Sequence, residues 1–272
     1  MRLDITLSPF DADMTRMSAA AAVAEEAGIG GLWTMDHLTG RVHAGRTTVL
    51  ECLAGLGALA AATEQVRIGS LVLNPVLRHP VVLAQALASI QEQSAGRLMV
   101  GLGAGGGGGD YAQELVSAGL IDHPAPIRRQ RVTETIAILH HVWSGSNAAW
   151  HGELYSLAGS PGFLVPTPTP PLILGGYGVK MATVAGRTCQ GFNTAAAHPE
   201  AANLVRTARA VHAAADRPGT FEASAFAVFE PCWIDPVSPE RRRLAEADID
   251  VLILVVHAPH DHGLIREIAA AR

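Results

Sequence analysis

VRIGSLVLNPVLRHPVVLAQALASIQEQSAGRLMVGLGAGGGGG, residues 66–109, decides the fold. It reads as a strand over Val66–Asn74, then a helix over Val81–Ser94 opened by Pro80. A further strand, Arg97–Leu102, runs into a glycine-rich loop from Gly101 to Gly109. Short β-branched and leucine-rich runs alternate here with an alanine-rich segment, the pattern of a parallel strand–helix–strand unit.

The same alternation extends in both directions. Upstream, strands are predicted over Leu3–Ser8 and Gly31–Asp36, and helices over Thr15–Ala27 and Val49–Thr63. Downstream, helices are predicted over Ile127–Trp143, Val179–Gly186, Pro199–Ala215, Pro239–Ala247 and His262–Ala271. Strands are predicted over Leu172–Leu174, Gly191–Thr194, Thr220–Phe229 and Asp250–Val256. Eight strand units in one chain of 272 residues favour closure into a ring over an open sheet. No strand–GxGxxG–helix opening of the dinucleotide-binding kind is present. The expected architecture is therefore α/β, a single (β/α)8 TIM-type barrel over 1–272. An irregular excursion at about 148–171, carrying five prolines, is too long for a routine helix-to-strand connection.

Bulk composition narrows the function. Hydrophobic residues make up 49 % and charged residues 17 %, enough apolar material for a barrel interior and a helix-facing layer. A net charge of −5 argues against a general nucleic-acid binder, which needs a basic field to displace phosphate counterions. Cys52, Cys189 and Cys232 are odd in number and have no CxxC spacing, which fits reduced thiols in a cytoplasmic setting. Residues 1–9 carry Asp4 and no charged-then-apolar leader, and no uncharged run approaches the ~18 residues that span a bilayer. A cytoplasmic protein with no membrane partner is expected.

In barrels of this class reacting groups stand at the C-terminal ends of strands. Asp36-His37 puts a carboxylate next to the one side chain that titrates near neutrality, so His37 is a candidate proton donor and acceptor. Glycines after two neighbouring strands, at Gly103, Gly105, Gly175 and Gly176, would let backbone N–H groups approach an anion, and the helix start after Gly178 adds a favourable dipole. This suits a phosphorylated cofactor. The plain alternative is a flexible glycine lid. Asn74-Pro75 and Arg78-His79-Pro80 could bond the edge of a heterocycle or simply form a turn and start a helix. His257, His260 and His262 with Asp261 could suggest a metal site. The absence of further ligands at other strand ends disfavours that, leaving His257 as a pocket-lining candidate and no metal expected.

Several motifs occur in a fixed order: WxxDH at 33–37, TxxVRIG at 63–69, NPxxRHPxxLA at 74–84, SxGR at 94–97 and GLGAG at 101–105. They continue with RxxExIxILxxxWxG at 131–145, PxxLGGxG at 171–178 and AGRxxxGF at 185–192. This series resembles the bacterial luciferase-like oxidoreductase family, and within it the branch dependent on the deazaflavin coenzyme F420. The resemblance implies an oxidoreductase that moves a hydride between F420 and a small organic substrate. The alternatives are an FMN-dependent monooxygenase on the same barrel, a non-catalytic flavin-binding relative and a metal-dependent hydrolase.

It implies further that Asp36 and His37 lie by the reactive ring. Ser70, Leu71 and Val72 would form a strand-three bulge behind it, with a non-prolyl cis peptide at Leu71–Val72 or Ser70–Leu71. Gly103, Ala104, Gly105, Gly175 and Gly176 would receive the phosphate-bearing chain, with Asn74 a further cofactor contact. Trp33, Asn193 and His257 are expected to line the substrate pocket, and a homodimer through the second and third helices is implied. Three positions depart from the sugar-phosphate dehydrogenase branch: Arg41 replaces an aromatic, Gly106 an acid, and Ala195–His198 lacks a lysine.

Overall fold

The computed structural model describes residues 1–43, 45–159, 162–217 and 219–271. Eight parallel strands close into a barrel. In chain order they and their helices are β1 (Arg2–Leu7), α1 (Met14–Glu26), β2 (Gly31–Thr34), α2 (Cys52–Ala62), β3 (Arg67–Ser70), α3 (Pro80–Gln93) and β4 (Leu98–Gly103). There follow α4 (Gly109–Ser117), α5 (Ala125–Trp143), a hairpin of β5 (Trp150–His151) and β6 (Ser156–Leu157), β7 (Leu172–Gly175) and α6 (Val179–Thr188). The chain closes with β8 (Gly191–Ala195), α7 (Ala201–Ala214), β9 (Glu222–Val228), α8 (Pro239–Glu246), β10 (Val251–Val256) and α9 (His262–Ala270). Around the ring the order is β1-β10-β9-β8-β7-β4-β3-β2. The hairpin forms its own two-stranded sheet.

Strand periodicity sorts the side chains into two layers. Leu3, Ile5 and Leu7 of β1 face the helices and join the large outer core. The interior is filled by Trp33, Met99, Ile173, Val251 and Ile253, with Leu71 above them. Its lower end is closed by charge: Asp4 accepts from Trp33 Nε1 at 3.1 Å and from Arg2 Nε at 2.9 Å, and Arg2 also reaches Glu222 at 3.0 Å. Burial pushes the Asp4 carboxyl above its ordinary range, against the pull of Arg2.

Two elements differ from the sequence expectation. Residues 109–117, where no helix was expected before Ile127, form α4. The irregular excursion contains the β5–β6 hairpin; Ser160 and Pro161 within it lie outside the described residues. The hairpin is pinned by α5: buried Glu134 accepts from the backbone N–H of Glu153 (2.9 Å), Leu154 (3.0 Å) and Tyr155 (3.1 Å), and Arg131 donates to the Tyr155 hydroxyl at 2.6 Å. The RxxE spacing of 131–134 thus serves the architecture. Glu134→Ala is expected to cost about 2–3 kcal/mol, read as a lower denaturant midpoint, with faster amide exchange at residues 153–155. Unchanged exchange there would show that the hairpin is held by other means.

Candidate active site

A pocket of about 590 Å³ opens among the C-terminal ends of β2, β3, β4, β7 and β8. Of the residues singled out from sequence, Asp36, His37, Leu71, Val72, Asn74, Gly103, Ala104, Gly105, Gly175, Gly176 and Asn193 line it. The Leu71–Val72 peptide is cis, one of the two bonds the resemblance implied. Beside it Gly103 is obligatory for space: a Cβ there would lie 2.5 Å from Val72 Cγ2. The bulge and the first glycine loop therefore fit only without a side chain at that position.

Three expected contacts are placed elsewhere. Trp33 is one layer down, sealed in the barrel interior with its indole N–H on Asp4, because β2 alternates and the next inward residue, Met35, takes the pocket position. Ser70 is fully buried between strands: its hydroxyl donates to the Gly101 carbonyl at 2.9 Å and accepts from the Gly101 N–H at 3.0 Å, tying β3 to β4. His257 lies beyond the last ladder residue of β10 and is exposed outside the pocket lining. The neighbouring histidines also diverge. His260 is buried with Nε2 2.9 Å from the Ser8 carbonyl, and His262 opens α9. Among the described residues no three His, Cys, Asp or Glu side chains converge as metal ligands.

Asp36 and His37 have separate partners. Arg78 grips Asp36 with two parallel bonds of 2.8 Å, and the Asn74 N–H adds a third at 2.9 Å. Arg78 also bonds Glu51, whose other oxygen caps α2 by accepting from the Ala54 N–H at 2.8 Å. Asp36 is thereby committed to holding the β3 bulge against the end of β2. His37 instead turns to α4, where its Nδ1 is 3.1 Å from Glu114 Oε2.

Glu114 is the site residue that sequence reading missed. It is 4 % exposed, and its Oε1 accepts from the backbone N–H groups of Leu38 and Thr39. Burial pushes this carboxyl up, but the hydrogen bond and charge of His37 and the two N–H groups outweigh it, so the carboxyl sits below its ordinary range. An ionised carboxylate can only accept, so His37 Nδ1 carries the proton and Nε2 is left to exchange one. Aromatic rings surround the imidazole: Phe10 at 5.3 Å, Tyr111 at 5.8 Å and His43 at 5.9 Å between centroids. Burial, then His37, His257 and Arg46, push His43 toward its neutral form.

The lining also contains cationic groups. Arg128 and Arg129 of α5 join the lining, and Arg128 donates to the Gly105 carbonyl. No side chain caps the N-terminus of α6, which follows Gly178 at the pocket edge. The pocket lining thus combines an imidazole in an aromatic setting with glycine backbone, a helix start and two guanidinium groups.

The chain is similar to known proteins in sequence and in fold. At 35 % identity over 173 residues, the chain is similar to the F420-dependent glucose-6-phosphate dehydrogenase of Microbacterium testaceum (strain StLB037), covering 63 % of this chain and 50 % of the relative. The enzyme of the same name from Gordonia bronchialis is 30 % identical over 195 residues, 71 % of this chain and 56 % of its own length. The chain spans about half the length of these curated relatives.

Two solved structures share the fold. An F420-dependent secondary alcohol dehydrogenase in complex with an F420–acetone adduct superposes with a TM-score of 0.79 at 18 % identity, covering 100 % of this chain and 98 % of that one. The coenzyme F420-dependent tetrahydromethanopterin reductase of Methanopyrus kandleri gives 0.76 at 17 %, covering 98 % and 96 %. The family model of the luciferase-like monooxygenases matches residues 3–270. From end to end of its barrel, this chain belongs to the luciferase-like monooxygenase family.

Proposed function

We propose that the protein is an oxidoreductase that uses the deazaflavin coenzyme F420 to interconvert an organic alcohol and its carbonyl compound. The observation that carries this reading is His37: an imidazole in the pocket lining, held by Glu114 at Nδ1 and with no hydrogen-bond partner at Nε2 among the described residues, in a cavity also lined by glycine backbone and Arg129. The pocket fits the group. Gly103, Gly105, Gly175 and Gly176 bring bare backbone to its wall and Ala104 adds only a methyl group; a Cβ at Gly103 would collide with Val72. The start of α6 and the guanidinium of Arg129 supply positive charge for a phosphate-bearing chain.

When bound, the deazaflavin would supply the hydride acceptor or donor. The chain's residues do the rest. In the oxidative direction His37 Nε2 takes the hydroxyl proton as the substrate carbon gives up its hydride, and the C–O single bond becomes a carbonyl. In the reverse direction the imidazolium returns that proton to the carbonyl oxygen. Phe10, Tyr111 and His43 limit water around the imidazole, and Asp36 with Arg78 keeps the bulge at Leu71–Val72 in place. Names of the curated relatives and of the first structural neighbour point to the same cofactor.

Calorimetric titration of cofactor-free protein with oxidised F420 and, in parallel, with FMN tests the cofactor. A preference for F420 of tenfold or more, about 1.4 kcal/mol, is the expected result. Preference for FMN would move the reading to an oxygen-using monooxygenase, and binding of neither would end it.

A further inference from the structure

Among the helices, α4 is attached in its own way. It leaves β4 through the glycine run, with φ of +79° at Gly108 and +55° at Gly109, and it is followed by Gly119 at +73°. A Cβ at any of these three would meet nothing within 4 Å, so they are glycine for backbone conformation and not for room. Only Glu114 and Leu115 of α4 are buried, while Val116 is 59 % exposed. A leucine at 114 would anchor such a helix without the cost of desolvating a carboxylate. Instead a carboxylate is buried, and its three partners come from one tripeptide, His37-Leu38-Thr39, which contains the proton-exchanging residue.

We propose that Glu114 is the positioning residue of His37 and couples it to α4: the imidazole is held with Nδ1 protonated and Nε2 free only while α4 is docked over the pocket. Entry and exit of ligands would then loosen α4 and release the imidazole together, so proton exchange is confined to the closed site. The consequence for turnover rests on the hydride-transfer reading above. The positioning itself does not, and it is tested without cofactor.

Glu114→Gln is the informative change. The glutamine carbonyl can still accept from Leu38 and Thr39, but its NH₂ faces His37 as a donor, which turns Nδ1 into an acceptor and moves the proton to Nε2. In ¹⁵N-imidazole spectra of the cofactor-free protein, wild type is expected to show the Nδ1–H tautomer and Glu114→Gln the Nε2–H tautomer. The Leu38 and Thr39 amides are expected to stay protected from exchange in both. A helix staple with no bearing on His37 would leave the tautomer unchanged, and that result overturns the proposal.

An acid titration of wild type guards against a variant that does not fold. Of the titratable groups, His37 and, more distantly, His43 act on Glu114. The carboxyl lies below its ordinary value of 4.5, so its hold is complete above that pH and is lost as pH falls through the lower folded value. The Leu38 and Thr39 amides should therefore lose protection as pH falls below 4.5 and through the lower folded value, before the barrel strands open. Protection that persists until global unfolding would equally overturn the proposal. In the loaded enzyme Glu114→Gln should lower kcat on the order of 100-fold with F420 affinity unchanged, as for a base held in the wrong tautomer. Loss of F420 binding by wild type would sink the functional reading and leave the tautomer result standing.

Discussion

His37→Asn is expected to lower kcat about 10²–10⁴-fold while F420 binds as tightly as to wild type. Asparagine keeps an N–H near the position of imidazole Nδ1, so the buried Glu114 retains a donor besides Leu38 and Thr39, and the α4 attachment is preserved. The change removes Nε2 and with it the proton acceptor for a substrate hydroxyl. Cofactor affinity should hold because the glycine backbone, the α6 start and Arg129 are left unchanged. His37→Ala should be worse for stability, since one oxygen of a buried carboxylate then loses its partner. Single-turnover reduction of F420 separates the step from product release. A loss of less than about threefold in that step would show that His37 is not the proton acceptor.

The way this site is assembled explains which parts of it were legible in sequence. Alternation of Val/Ile/Leu runs with alanine-rich segments marked all eight barrel strands, since parallel strands covered on both faces carry their own signature. His37 and the glycines were visible because residue type and place at a strand end coincide. What sequence could not supply was depth. Trp33 and Met35 are two residues apart and both point inward, but a step of about 6–7 Å along the strand separates sealed interior from pocket wall. Ser70 has the right chemistry at the right end of β3, yet its hydroxyl is spent on Gly101. His257 falls one residue past the ladder and outside the lining.

Glu114 was out of reach for a different reason. It stands 77 positions from His37, on a helix that begins inside a glycine run. No periodic pattern over DYAQEL distinguishes a buried carboxylate from an exposed one. Its pairing with His37 is a product of tertiary structure alone.

Replacement of Arg78 by Met tests the support beneath the site and should carry the largest stability cost, about 3–5 kcal/mol. The Asp36 side chain is fully buried, and two of its hydrogen bonds come from Arg78. Without the guanidinium the Asn74 N–H remains as its one donor among the described residues, too little to offset a desolvated carboxylate. Glu51 loses the same partner at little cost, because its side chain is 46 % exposed and water replaces the cation. For a chain of this size the loss corresponds to a Tm lower by roughly 6–20 °C. Adding Asp36→Leu to Arg78→Met should recover most of that stability, since removing both members of a buried pair is far cheaper than removing one. The double variant should still turn over poorly, because the β3 bulge would no longer be tied to the end of β2. A single-variant loss below about 1 kcal/mol would mean that Asp36 reaches solvent when released and that the bulge is held by its own packing; full activity in the stable double variant would remove Arg78 and Asp36 from the support of the site.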